Sequence, residues 1–322
     1  MKAMMYIYIT LLLACHNGPD TSHVEKGLLH LEAKILLPGV SGRIDHLAYD
    51  SSERRLFVAA LGNNTVEVVD LTTRRQLHSI TSLHGPQGVQ YLPALARLVV
   101  ANGNDGACIF YDGKSYGEVG RVALGDDADN VRSDGSRVYV GYGSGGIAVI
   151  DPTTMKKLGD LPLNGHPESF QLADSGQVFI NVPDAGEIVA GDLGLLTVRG
   201  QWKNSGASAN FPMAVDRQGK RLFIAYRHPA QLRILDSRTG KVQASAPCVG
   251  DADDVFYEKV SGLVFISGGE GYIDVFRGAV LVNHITTRKG ARTSLWLPGE
   301  RKLILAVPAR GGDEAALWVY GM

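Results

Sequence analysis

Seven stretches of this chain follow one template at a nearly constant interval, and no other feature narrows the possible folds so far. Each stretch is an apolar strand: RLFVAAL from Arg55, RLVVANG from Arg97, RVYVGYG from Arg137, QVFINVP from Gln177, RLFIAYR from Arg221, LVFISGG from Leu263 and KLILAVP from Lys302. A second strand follows closely each time, from TVEVVDL in the first copy to ALWVYGM in the last. Aligned on the residue that opens each copy (Asp45, Gln87, Asp129, Glu168, Phe211, Asp253 and Thr293), the intervals are 42, 42, 39, 43, 42 and 40 residues. Self-similarity at such a period marks a repeat architecture, in which each unit buries its apolar faces against its neighbours.

Each unit reads as four short strands. In the first copy these are DHLAYD, RLFVAA, TVEVVD and RQLHSI, with Ser51-Ser52-Glu53, Asn63-Asn64 and Thr72-Thr73 supplying the turns. A row of small β-sandwiches is excluded, because about 40 residues cannot bury a separate core. The expected fold is therefore all-β: a seven-bladed β-propeller of four-stranded blades. The blades fall near residues 41–83, 84–124, 125–163, 164–204, 205–248, 249–287 and 288–322. The last copy stops after its third strand. LEAKILLP, residues 31–38, is left to supply the fourth and to close the ring, which removes an open sheet edge.

Residues 1–15, MKAMMYIYITLLLAC, carry Lys2 and then an apolar run of secretory length, too short to span a bilayer comfortably. The run ends in Leu12-Leu13-Ala14-Cys15, which resembles a bacterial lipobox with Cys15 as the lipidated residue; plain signal-peptidase cleavage and an ordinary buried N-terminal helix are the alternatives. Residues 16–30 read as a tether, and the protein is expected to be exported, in the periplasm or as an outer-membrane lipoprotein. Contact with the membrane is expected only through the anchor. A net charge of −1 gives no field for nucleic acid, and no oligomer is implied, so a monomer is expected. Cys108 and Cys248 lie three blades apart and read as small buried hydrophobes, not a disulfide.

The stretch LFVAALGNNTVEVVDLTTRRQLHSI, Leu56 to Ile80, resembles the repeat of the YVTN-type β-propellers. Asn64-Thr65-Val66 and Asp70-Leu71-Thr72-Thr73 carry the likeness best, and VIDPTTMKK and ILDSRTGKV echo it later. The resemblance covers about residues 31–322 and implies the propeller fold and a secreted or surface setting. It is poor for function, although some relatives in the wider seven-bladed group are lactonases.

On a propeller, the turns leading into the first strands share a face with the loops between second and third strands, and ligand sites concentrate there by analogy with the fold. Four of the seven opening positions are acidic: Asp45, Asp129, Glu168 and Asp253. Together they are the expected metal ligands, since converging oxygens suit Ca²⁺ or Mg²⁺. The competing reading is that each acid caps its own turn. Asp45, His46, Gln87, Asn130, Arg227 and His228 are the expected ligand-binding residues, Arg227 because a guanidinium takes a carboxylate or phosphate in two bonds. Asp45 and His46 are expected to point to opposite faces of a strand and so not to pair. Arg43 is placed to neutralise Asp45, and Asp126, Asp127 and Asp251 to face water.

No nucleophile elbow, phosphate-binding loop, zinc pattern or dinucleotide fingerprint is present. Two functions remain. The first is a binding or scaffold protein of the cell envelope, whose partner is a small molecule, a cation or an envelope protein. The second is a hydrolase or lactonase in which Arg227 or a bound cation polarises a carbonyl and Asp129, Glu168 or His166 moves a proton.

Overall fold

The structure, a computed structural model, describes residues 28–143 and 145–322. The lipobox-like segment, Cys15 and residues 16–27 of the expected tether lie outside the described residues. Among those described, the strands form seven antiparallel sheets of four, and the only helical turns are Leu61–Asn63, Pro93–Leu95 and Asp174–Gly176. No helix among them is long and apolar enough to cross a membrane.

Blade 1 shows the pattern: Leu47–Asp50, Arg55–Ala60, Thr65–Asp70 and Arg75–Ile80 pair in sequence order. From Leu56 to Ala60 its second strand is wholly buried, which requires both faces of the sheet to be covered. That explains why these strands are continuous apolar runs and not alternating ones. The fourth strand, at the rim, is mostly exposed and polar.

What covers the faces is the neighbouring blade. Seven apolar clusters fill the seven gaps between blades, such as Phe57, Val66, Val68, Leu98, Val100 and Ile109 between blades 1 and 2. The cluster between blades 7 and 1 joins Ile304, Leu317 and Val319 to Leu47, Leu56 and Val58, and the first strands of these blades lie side by side, so the ring closes.

Closure uses a strand from the other end of the chain. His30–Leu37 pairs antiparallel with Ala315–Gly321 as the fourth strand of the last blade, with Ile35 opposite Leu317 and Leu37 opposite Ala315. Ile35 and Leu37 point into the core between blades 7 and 1. Leu29, expected in the tether, is instead buried between blades 6 and 7, so the packed body begins before residue 31. Cys108 is buried and Cys248 half-buried, both as free thiols.

Candidate functional site in the central channel

Five of the seven opening residues, Asp45, Asp129, Glu168, Phe211 and Asp253, line one cavity of about 50 Å³ on the channel axis. Backbone hydrogen bonds to the end of each second strand hold three of the acids: Asp45 donates to Ala59 at 2.7 Å, Asp129 to Gly141 at 2.9 Å and Glu168 to Asn181 at 3.2 Å. Blade 2 contributes glycine beside this ring for a steric reason. A Cβ on Gly88 would stand 1.9 Å from the carbonyl oxygen of Asp129.

The four carboxylates do not cap turns. Among the described residues none accepts a backbone N–H, whereas the aspartates that end the third strands of blades 1–5 do so, such as Asp70 from Thr72 and Thr73, Asp112 from Lys114 and Ser115, and Asp151 from Thr153 and Thr154. Those backbone bonds hold Asp112, Asp151 and Asp192 below the ordinary carboxyl range. At the channel the direction reverses. Burial, with Asp129 and Asp253 nearby, raises Asp45 to about 6; burial and Asp129 raise Glu168 to about 7; burial raises Asp254 to about 7. The capping alternative does not hold for the channel acids; backbone capping is done by the aspartates that end the third strands.

Cations from several blades answer these charges. Arg43 Nη2 lies 2.7 Å from Asp45 Oδ2, close enough for Coulombic pairing though not aligned as a hydrogen bond. Arg227 donates to Asp253 Oδ1 at 2.8 Å and to the Ala252 carbonyl at 3.0 Å, with its guanidinium 4.0 Å from the Phe211 ring centre. Arg292 bonds Asp251 at 3.0 and 3.1 Å and lies 3.5 Å from Asp253. Asp129 stands between two imidazoles, 3.9 Å from His46 Nε2 and 3.8 Å from His166 Nε2. His166 Nδ1 donates to the Gly143 carbonyl at 2.7 Å, which leaves Nε2 for Asp129. Burial alone would lower the His166 pKa, but Asp129, Gly143 and Asp127 outweigh it and raise it to about 9. Burial likewise opposes a rise at His46, which Asp45, Asp129 and Asp254 together produce.

Some expectations change here. His46 Nε2 is only 3.8 Å from Asp45 Oδ1. The strand begins at Leu47, so the alternation that would separate the two side chains does not apply to them. Asp126 faces water as expected, but Asp127 accepts from Gln87 Nε2 at 3.0 Å and Asp251 is held by Arg292 and Arg227. Asn130 donates to the Glu168 carbonyl at 2.5 Å. His228 is exposed at the end of its strand and does not line this cavity. Among the described residues no group of three or more His, Cys, Asp or Glu is arranged to hold a metal ion.

Below the charged layer the channel widens to a vestibule of about 880 Å³, lined in part by Ser51, Pro298, Gly299 and Glu300. These residues belong to turns between first and second strands, so the vestibule opens on the face opposite the one expected to carry the site. Three residues beyond each opening position stand Ala48, Gln90, Arg132, Gln171, Ala214, Phe256 and Trp296, and all seven line this wall. Only Arg132 among them is charged. Tyr49 and Tyr257 add aromatic surface, and Glu300 accepts from Tyr49 at 2.8 Å while pairing with Arg54 at 3.0 Å. His46, Arg132, Gln171 and Asp254 line both cavities and form the floor between them. The vestibule could have been found by carrying the repeat alignment three residues further.

No family model matches the sequence, and no curated protein matches it. The chain is similar in structure to a Kuenenia stuttgartiensis protein described as hydrazine synthase, with a TM-score of 0.74 and 17% sequence identity over 84% of this chain and 95% of that one. At that identity the likeness is one of fold.

Proposed function

We propose that the protein is an exported, lipid-tethered propeller of YVTN type that binds a small molecule in its central channel. The observation that carries the binding reading is the vestibule, whose volume of about 880 Å³ lies in the range of small-molecule sites. Its walls combine aromatic surface with polar groups at the floor and at the opening. Export and the anchor rest on the sequence from Met1 to Cys15. The family assignment rests on the Asn64-Thr65-Val66 and Asp70-Leu71-Thr72-Thr73 turns, the second of which Asp70 caps through Thr72 and Thr73.

Ligand-observed NMR with a small-molecule library tests the binding reading. Trp296 is the one tryptophan lining the vestibule, so hits are expected to change tryptophan emission in the native protein and not in Trp296→Phe. A library without hits, or hits whose emission change survives in Trp296→Phe, would overturn it.

A hydrolase reading has one observation in its favour. Glu168 near 7 beside His166 near 9 is a pair suited to acid–base work at neutral pH. Arg227, however, is committed to Asp253, Ala252 and the ring of Phe211, and is not free to polarise a carbonyl. Lactone hydrolysis that disappears when Asp129 and Glu168 are both replaced by amides would support this second reading.

A further inference from the structure

We infer that the vestibule takes an organic carboxylate, with the carboxylate seated on Arg132 at the floor and the apolar body against the aromatic wall. The inference rests on the binding reading above and assigns its ligand class. Arg132 differs from the other arginines of the channel. Arg43, Arg227 and Arg292 are each in contact with a carboxylate, whereas Arg132 makes no ion pair among the described residues. Its one hydrogen bond runs from Nη1 to the neighbouring Val131 carbonyl at 2.8 Å, and its guanidinium lies 5.7 Å from the Phe170 ring centre.

Arg132 is half-buried, and the donors it does not use are open to an anion that enters the cavity. Here those donors border the floor between the two cavities. Carboxylate matches the planar fork of arginine in two parallel bonds. The charges of Asp254 and Asp129 are felt at Arg132, but neither acid forms an ion pair with it among the described residues: Asp254 Oδ2 accepts the Ser294 N–H at 2.7 Å, and Asp129 faces the two imidazoles. His46 shares the floor, with its Nε2 3.8 Å from Asp45. Phe256, Tyr257, Trp296 and Tyr49 then offer apolar surface to the rest of the ligand.

The test uses the whole protein and matched probes: hexanoate and 3-phenylpropionate, their primary amides, and hexylamine, with affinity read by calorimetry and by melting shift. The acids are expected to bind at least about tenfold more tightly than the amides and the amine, the discrimination typical of a charged hydrogen-bonded contact. Arg132→Gln is expected to remove that preference, and Arg132→Lys to keep part of it. Amides or amine binding as tightly as the acids would overturn the inference on the native protein alone, whether or not a variant folds. Acid binding unchanged in Arg132→Gln would overturn it too. In both cases vestibule binding itself survives, so long as Trp296 emission responds. If no probe and no library member binds, both readings fall together.

Discussion

Asp129 is the centre of the channel's electrostatics, and Asp129→Asn is the perturbation that tests the whole arrangement. An imidazolium 3.8 Å from a carboxylate gains about 4 kcal/mol at an effective dielectric constant of about 20. That is about a thousandfold in the proton affinity of the ring. It suffices to carry His166 from 6.5 to about 9 against the opposing effect of burial. In Asp129→Asn the Gly143 carbonyl and the more exposed Asp127 remain, so the His166 midpoint is expected to fall by about two pH units. Glu168 is expected to move down as well, because a like charge that holds its proton on is gone. The assay is a histidine-resolved NMR titration, which also reports the tautomer: neutral His166 is expected to carry its proton on Nδ1, towards Gly143. A native His166 that titrates at an ordinary histidine value, or a midpoint that Asp129→Asn leaves in place, would refute the reasoning.

Glu168→Gln tests the linkage between charge and stability. The folded pKa of Glu168 is raised from 4.5 to about 7, so its contribution is most favourable below 4.5 and is lost as pH rises through 7. The glutamine variant is therefore expected to be more stable than the native protein at pH 8 by about 1–3 kcal/mol, and the difference should vanish near pH 4 in denaturant titrations. In the closing strand, Ile35→Ala removes a side chain buried between blades 7 and 1, which should cost about 2–5 kcal/mol in guanidinium unfolding; a loss under about 1 kcal/mol would mean the clasp does not hold the ring. Millimolar Ca²⁺ or Mg²⁺ is expected to leave the melting temperature unchanged, because guanidinium and imidazole groups already face Asp45, Asp129 and Asp253. A rise reversed by chelator would establish a hard-cation site at the ring.

The period of the repeat made the fold legible, since a stretch such as Leu56–Ala60 is apolar at every position only if both sheet faces are covered. The same alignment placed Asp45, Asp129, Glu168 and Asp253 around one point, and the structure brings their side chains to one cavity. What the alignment does not carry is pairing across blades. Arg227 reaches Asp253 from 26 positions away, and although Arg292 and Asp251 stand about one repeat apart, the alignment does not say which side chains bond. The vestibule was hidden for another reason. Its volume depends on side-chain sizes summed around a ring, where Ala48 and Ala214 leave space that no single motif announces.

The two sets of aspartates show how a repeat separates scaffold from site. Asp112, Asp151 and Asp192 recur because each blade needs the same turn, and each carboxylate accepts backbone N–H groups within three residues of chain. Each is thus a local solution repeated, and its depressed pKa reflects its turn bonds, joined at Asp192 by Arg199. Asp45, Asp129, Glu168 and Asp253 occupy equivalent positions too, but the cations that answer Asp129 and Asp253 come from other blades, Asp45 faces Arg43 and His46 of its own blade, and Glu168 forms no side-chain hydrogen bond or ion pair among the described residues. Their surroundings raise the carboxyls of Asp45 and Glu168, so the arrangement opposes ionisation where the turns favour it. A fold gains nothing from gathering such groups at its axis, because apolar side chains would close the channel at lower cost. Arg132 extends the argument one layer down. Its six counterparts around the ring are alanine, glutamine, phenylalanine or tryptophan, so the blade geometry does not require a cation there. The charge at that position is best accounted for by what enters the channel.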